Sequence, residues 1–240
     1  MRLNRFIARS GVCSRREADD LIKQGLVEVD GKVVTEFATQ VEEQNRVRVN
    51  GTEITPVAGE YILLNKPSGV ITTKSDEKGR KTVLDLVDLS DTAKGALFPV
   101  GRLDRETTGI LLLTSDGDLA HRLMHPSYEV EKLYRVRTAR EVTDAEIAKL
   151  TAGLELDDGP ANADRAAFLD PGERREVGVS MHSGRNRIVR RMFEHLGHDV
   201  KQLERVRYAG LTSSGVRRGK WRRLTDKEEA RLYRAVKMKR

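Results

Sequence analysis

The sequence predicts an α+β protein in two parts, a small N-terminal module over residues 1–56 and a larger body over residues 61–240. Three observations lead there. Apolar segments that alternate like strands follow one another with few helices between them, as in a mixed body with a largely antiparallel sheet. Capping boxes, Ser or Thr followed three residues on by Glu, open the helices at Ser14–Glu17, Thr143–Glu146 and Thr225–Glu228. Between the two parts, Asn50–Glu60 holds two glycines, a proline and two threonines in no period, the composition of a linker.

The elements follow in order. Leu3, Phe6 and Ile7 share one helical face, and Gly11 stops that helix. The second helix puts Ala18, Leu21 and Ile22 on its apolar side and ends at Gly25. Val27 and Val29 alternate into the tight turn Asp30-Gly31, and Val33-Val34 follow. In the body, Tyr61–Leu64 is a strand, and a turn set by Pro67 and Gly69 leads into a strand at Ile71–Thr73 and the polar loop Lys74–Lys81. Ile110–Leu113 is too apolar for a surface strand and too short to span a membrane, so it is a buried strand. The helix after Ser115–Asp118 carries His121 and His125 at a zinc-compatible spacing, with no third ligand to complete a site. Val130–Val136 is a strand, a helix runs from the Thr143 box to about Leu150, and Asp157–Ala166 is a loop or edge excursion. Val177–Met181 is a strand, and the next helix turns Ile188, Val189, Met192, Phe193 and Leu196 inward. Its opposite face carries Arg187, Arg190, Arg191 and Glu194. His195 and His198 fall at its loop end. Val200–Tyr208 is a further strand, and Arg217–Arg223 interleaves cations with Trp221 in a pattern suited to phosphate contact and stacking. The last helix reaches about Val236, before the basic tail Lys237–Arg240.

Charge narrows the function. The net charge is +7, but Val179–Arg240 holds 18 Lys and Arg against 6 Asp and Glu, while the rest of the chain is net acidic. Basicity gathered in one quarter of a chain suits a polyanion bound over a defined surface. Nucleic acid fits better than an anionic membrane, for which no amphipathic anchor is present. Cys13 is the only cysteine, which excludes an intrachain disulfide and a cysteine-cluster metal site. The N-terminus has arginines where a signal peptide is apolar, so the cytoplasm is the expected location.

The candidate chemistry lies in Pro99–Thr114. Asp104 sits between Arg102 and Arg105, whose guanidinium groups would keep it ionised. The buried strand behind it provides a rigid support. From the residues alone this is either a catalytic carboxylate or an Asp–Arg network capping a strand. Gly101–Gly109, GRLDRETTG, closely resembles the GRLDxxTxG signature of the RNA pseudouridine synthases, in the form used by the RsuA/RluB family. The resemblance implies that Asp104 is the essential catalytic residue. Lys132-Leu133-Tyr134 is similar to the family's K-x-Y motif, implying that Tyr134 packs against the target base. The segment from Gly184 resembles the third motif, implying that Arg190 pairs with Asp104. This chain departs from that motif at Ser183, where the family has Glu, and at Ile188, where it has Gln. Asn65–Val70 matches the NKPxGV that opens the family's catalytic domain.

In the N-terminal module, Leu26–Val34 resembles part of the alpha-L RNA-binding module, which implies RNA contacts from Arg2, Arg5, Arg15, Arg16 and Lys23. With 9 basic and 9 acidic residues through Pro56, that module would bind through one face. Further contacts implied on the body are Arg102, Arg105, Lys132, Arg185, Arg187 and Arg191. The implied reaction is isomerisation of a uridine in ribosomal RNA, of the large-subunit type by the resemblance. It involves no redox change, so no cofactor or metal is expected. A monomer without an obligate protein partner is expected. The alternatives are a small-subunit substrate, or a non-catalytic RNA-binding assembly factor with a degenerate site. An RNA hydrolase working through Asp104 and a metal lacks the second carboxylate pair it would need.

Overall fold

The computed structural model describes residues 1–42 and 44–239; Glu43 and Arg240, in the basic tail, lie outside the described residues. The fold is α+β and divides into two compact units. The first comprises residues 1–60, 87–98 and 114–116, and the second the remainder.

The first unit begins with helices α1 (Leu3–Arg9) and α2 (Arg15–Lys23). The predicted capping box forms, with Glu17 N–H donating to Ser14 Oγ and Ser14 N–H donating to Glu17 Oε2 at 2.6 Å. Strands β1 (Val27–Val29), β2 (Lys32–Val33), β3 (Val47–Val49) and β4 (Thr52–Ile54) form an antiparallel sheet in the order β2-β1-β3-β4. Leu3, Phe6, Ile7, Ala18 and Ile22 from the helices bury against Val27, Val47 and Val49 of the sheet. Helix α3 (Asp91–Ala96), which the sequence reading does not identify, joins this unit from far along the chain. Its approach explains two glycines. A Cβ on Gly11, where φ is +80°, would lie 2.2 Å from the Thr92 carbonyl oxygen, and one on Gly95 would lie 2.1 Å from that of Gly11. No side chain fits between the two backbones.

The second unit is built on a nine-stranded sheet. Its strands are β5 (Tyr61–Lys66), β6 (Phe98–Pro99), β7 (Thr108–Thr114), β8 (Lys132–Thr138), β11 (Arg165–Phe168), β12 (Glu176–Met181), β13 (Val200–Tyr208), β14 (Leu211–Thr212) and β15 (Trp221–Arg223). A separate hairpin, β9 (Leu154–Leu156) and β10 (Gly159–Ala161), turns at Asp157-Asp158. The main path runs β11-β12-β8-β13-β7-β5-β15, with β14 pairing β13 and β6 pairing β7. The β13–β7 pair is parallel, whereas β11–β12–β8–β13 is antiparallel throughout. Ile110–Leu113 of β7 are fully buried, as their composition requires. Helices α4 (Gly117–Met124), α5 (Asp144–Ala152), α6 (Ile188–His195) and α7 (Asp226–Ala235) complete the unit. Ile188, Val189, Met192 and Phe193 of α6 join Val136, Val177, Val179 and Leu203 of the sheet in one core. Among the described residues, no helix is long and apolar enough to cross a membrane.

Several sequence expectations need correction. Ile71–Thr73 is not a strand; Ile71 makes a single bridge to Thr82. The segment 157–166 is more ordered than a loop, since it contains β10 and the start of β11. Its two strands, Gly159–Ala161 and Arg165–Phe168, lack the β-branched alternation that marks a strand in sequence and are held by pairing with β9 and β12. His198 is fully buried, with Nε2 3.1 Å from Glu146 Oε1 and its ring edge-on to Phe193. The Arg217–Arg223 cations are partly engaged at home: Trp221–Arg223 pairs with β5, and Arg222 forms a two-pronged bond to Glu228 at 2.7 Å for each prong.

That Glu228 carboxylate also closes the capping box of α7 with Thr225. The Arg222 hydrogen bonds hold it at about 2, below the ordinary 4.5. A carboxylate lowered in this way stabilises fully above its unfolded value and ceases to do so as pH falls through its folded value. Glu228→Gln is therefore expected to cost about 1–3 kcal/mol at neutral pH. Urea unfolding across a pH series should show wild type converging on the variant between pH 4.5 and 2.

Candidate active site

The site begins with a lysine at the end of an apolar strand. Lys66 closes β5 and is fully buried. Its ammonium donates to four backbone carbonyls, those of Pro67 at 3.1 Å, Asp104 at 3.0 Å, Arg105 at 3.1 Å and Thr107 at 2.8 Å. Burial pushes its pKa down to about 8, against the opposing pull of Glu106 and Asp104. Three of the four carbonyls belong to the loop that carries Asp104, so one cation gathers that loop. Its flanks are held as well. Thr72 Oγ1 donates to the Leu103 carbonyl at 2.8 Å, and Gly69 N–H donates to that of Arg105 at 2.9 Å.

Beyond the loop, β7 lies parallel to β13 with Gly109 beside Arg205. Gly109 has φ +106°, and a Cβ there would stand 2.2 Å from the Arg205 carbonyl oxygen. The last glycine of the GRLDRETTG stretch is thus the place where two backbones touch. Across β13 the antiparallel register sets Arg205 opposite Tyr134 and Tyr208 opposite Lys132, so these four side chains occupy one face. Arg205 is buried, donates from Nε to the Ile110 carbonyl at 2.8 Å and lies over the Tyr208 ring at 4.6 Å. Lys132 donates to the carbonyls of Val130 at 3.0 Å and His182 at 2.6 Å. Burial and the neighbouring Arg205 lower its pKa to about 8.

Asp104 takes its positive neighbours from α6. Arg187 Nη1 lies 3.6 Å and Arg190 Nε 4.0 Å from Asp104 Oδ2. Arg102 and Arg105, its sequence neighbours, do not pair with it: Arg105 Nε bonds the Gly69 carbonyl at 3.3 Å and lies 3.8 Å from Glu106. The expectation that these two poise the carboxylate is corrected: Arg105 turns to Gly69 and Glu106, and Arg102 makes no ion pair with Asp104 among the described residues. Arg190 also departs from expectation. It is buried rather than on a solvated face, and its Nη1 donates to the Val200 carbonyl at 3.0 Å. Its Nε has no hydrogen-bond partner among the described residues and is the atom nearest Asp104. Arg187 caps α6 in a left-handed conformation, φ +48° and ψ +27°, which costs a non-glycine residue about 1–2 kcal/mol. Such strain persists where the surroundings enforce it.

These elements enclose a cavity of about 580 Å³. Asp104, Tyr134, Lys132, Arg102, Arg185 and Arg187 all line it, with Ser183 and Ile188 at the two departures from the motif and the exposed Met124 at its edge. Arg105, Arg190 and Arg191 do not line it, and Arg190 stands behind the carboxylate. Arg185 and Arg191 both bind Asp158 rather than presenting free guanidinium groups. In the first unit, Arg2, Arg15, Arg16 and Lys23 are exposed and Arg5 is half-buried. His125 lies outside α4 and caps a short 3-10 turn, bonding Ser127. No group of three or more potential metal ligands occurs among the described residues.

Lys66, Arg187 and Arg205 are the site residues that sequence reasoning did not assign these roles. Lys66 had one signal, a charged residue ending the strand YILLNK. Arg205 had another, since it occupies an inward position in the alternation of β13.

Known proteins resemble the chain along nearly its whole length. Residues 60–195 match the RNA pseudouridylate synthase family, and residues 1–45 match the S4 domain. The chain is 42% identical over 234 residues to ribosomal large subunit pseudouridine synthase B of Bacillus subtilis, covering 96% of this chain and 95% of that protein. It is 37% identical to the dual-specificity RNA pseudouridine synthase RluF of Shigella flexneri, covering 98% of this chain and 79% of that one. A crystal structure of a pseudouridylate synthase superposes with a TM-score of 0.69 at 30% identity, over 97% of this chain and 99% of the other.

The contact between β7 and β13 yields a direct test. Gly109→Ala adds a methyl group against a fixed carbonyl at a positive φ and is expected to cost about 2–4 kcal/mol. Thermal or urea unfolding should show a loss of that size.

Proposed function

The chain belongs to the RNA pseudouridylate synthase family and is an isomerase of RNA uridine; from that premise we propose that its substrate is a uridine of large-subunit ribosomal RNA and that Asp104 is its catalytic residue. The observation that carries this reading is the shared cavity, in which a carboxylate flanked by two arginines faces the same space as an aromatic ring on a neighbouring strand. The similarity to large subunit pseudouridine synthase B supports the substrate class. Ribosomal RNA as substrate supports a cytoplasmic location.

The reaction moves a base without changing its composition. The bond from uracil N1 to ribose C1′ breaks, the base turns, C5 bonds to C1′, and the proton displaced from C5 is balanced by one gained at N1. A uridine in folded RNA must first leave its stack, at a cost of a few kcal/mol. Phosphate contacts offset that cost. Arg2, Arg5, Arg15, Arg16 and Lys23 would contribute them from the S4 domain, and Arg102, Arg105, Arg187 and Lys132 around the cavity. Arg185 and Arg191 are held by Asp158 and stand outside this set. Asp104, as an anion, attacks the sugar or removes a proton from it. Arg187 and Arg190 direct it. Tyr134 offers a flat face to the uracil and a hydroxyl for late proton transfer.

The test uses unmodified ribosomal RNA transcripts of both subunits, with pseudouridine mapped by carbodiimide adducts that stop reverse transcription. Wild type is expected to modify large-subunit RNA, and Asp104→Asn to bind it while losing on the order of 10³-fold or more in rate. Binding by both proteins with modification by neither would point to a non-catalytic assembly factor. Modification confined to small-subunit RNA would move the substrate there. The phosphate contacts have their own measure. Affinity for the RNA should fall roughly 10²-fold between about 50 and 200 mM salt, as expected for about four phosphates neutralised. Arg15→Ala combined with Arg16→Ala should reduce the slope of log affinity against log salt by about 2.

A further inference from the structure

The hairpin β9–β10 stands apart from the main sheet and ends in the two-residue turn Asp157-Asp158. Its base is anchored, since Leu154 and Ala161 are buried in the same core as Ile188, Val189 and Met192 of α6. Its tip binds the segment that walls the cavity. Arg185 gives Nε to Asp158 Oδ2 at 3.1 Å, Nη2 to Asp158 Oδ1, Nη1 to the Pro160 carbonyl at 2.6 Å and Nη2 also to that of Gly159 at 3.1 Å. Arg191, one turn into α6, gives Nη1 to Asp158 Oδ2 at 3.0 Å, Nη2 to Asp158 Oδ1, and Nη1 also to the Asn186 carbonyl at 3.3 Å. One carboxylate therefore joins two guanidinium groups that would otherwise repel. Between them in sequence lies Arg187, held in its left-handed conformation 3.6 Å from Asp104.

We propose that Asp158 is a positioning residue. By tying Arg185 to Arg191 it fixes the segment 183–187 in the shape that keeps Arg187 against Asp104 and closes one wall of the uridine pocket. This rests on the reading of that cavity as the pseudouridine-forming site. Asp158 is half-exposed and does not line the cavity itself; the wall residue it binds is Arg185, and its effect on Asp104 passes through Arg187. The bonds from Arg191 and Arg185 hold its carboxyl well below the usual range, consistent with an anion that stays charged across the working range of the enzyme.

The experiment has two arms on the full chain. Amide hydrogen exchange of the free protein should show the N–H groups of Ile188 and Arg191, which donate to the carbonyls of Arg185 and Arg187 in the segment 183–187, exchanging at least 10-fold faster in Asp158→Asn, with the central sheet unchanged, and Asp158→Glu restoring part of the protection. Unaltered exchange at these two positions would overturn the proposal whether or not the protein modifies RNA. In single-turnover assays on the RNA that wild type modifies, Asp158→Asn should lower the rate 10- to 100-fold with RNA affinity within 3-fold of wild type. In an Arg187→Ala background the same change should have little further effect, because the two act as a unit. Independent losses that multiply, or tighter RNA binding by Asp158→Asn at an unchanged rate, would overturn it; the latter would make the hairpin a shield over a phosphate site. An inactive wild type would instead defeat the reading of the cavity, and leave the exchange result to decide the clamp.

Discussion

The fixed point of the molecule is a buried ammonium group. Lys66 has no carboxylate in contact; its charge is satisfied by four backbone carbonyls. A cation out of water is costly unless hydrogen bonds replace its hydration, and here the replacements come from the loop that must be held still. The arrangement leaves the side chain of Asp104 free of structural duty. Its main-chain carbonyl carries the anchoring bond, while its carboxylate remains directed into the cavity. Structural restraint thus falls on the main chain of this residue and leaves its side chain to the cavity.

Around that point the electrostatics are graded. Closest to Asp104 are Arg187, half-exposed, and Arg190, buried. On the adjacent strands lie Lys132 and Arg205, both bound to backbone carbonyls. A polyanionic substrate is drawn to cations gathered in this way. The pKa of Lys132 is lowered first by its burial and then by the charge of Arg205.

Much of this was legible in the sequence where the cause is local. The three capping boxes are written in adjacent residues and form as written. Ile110–Leu113 announces a buried strand through composition alone. The GRLDRETTG stretch pointed to Asp104, and the strand bearing Tyr134 leads to the same cavity. What could not be read depends on distant approach. Helix α3 is six residues with no apolar face of its own, and only the Gly11–Gly95 contact gives it a place. The charges next to Asp104 in sequence turned out not to be its partners in space, because loop direction is set by Lys66, which is far away along the chain. Arg190 falls on a helical face that periodicity marks as polar, yet β13 covers it.

The parallel pair of β7 and β13 also has a bearing on synthesis. Thr108 and Gly109 leave the ribosome almost a hundred residues before Glu204 and Arg205, to which they are joined. A nascent chain can settle the Asp104 loop on Lys66 early, but the arginines behind the carboxylate and the second half of the floor arrive only with the last quarter of translation. Contacts of such long sequence separation form late and slowly. The cavity is therefore completed only by that last quarter, and a chain that stops short of it has the Asp104 loop without Arg187 and Arg190.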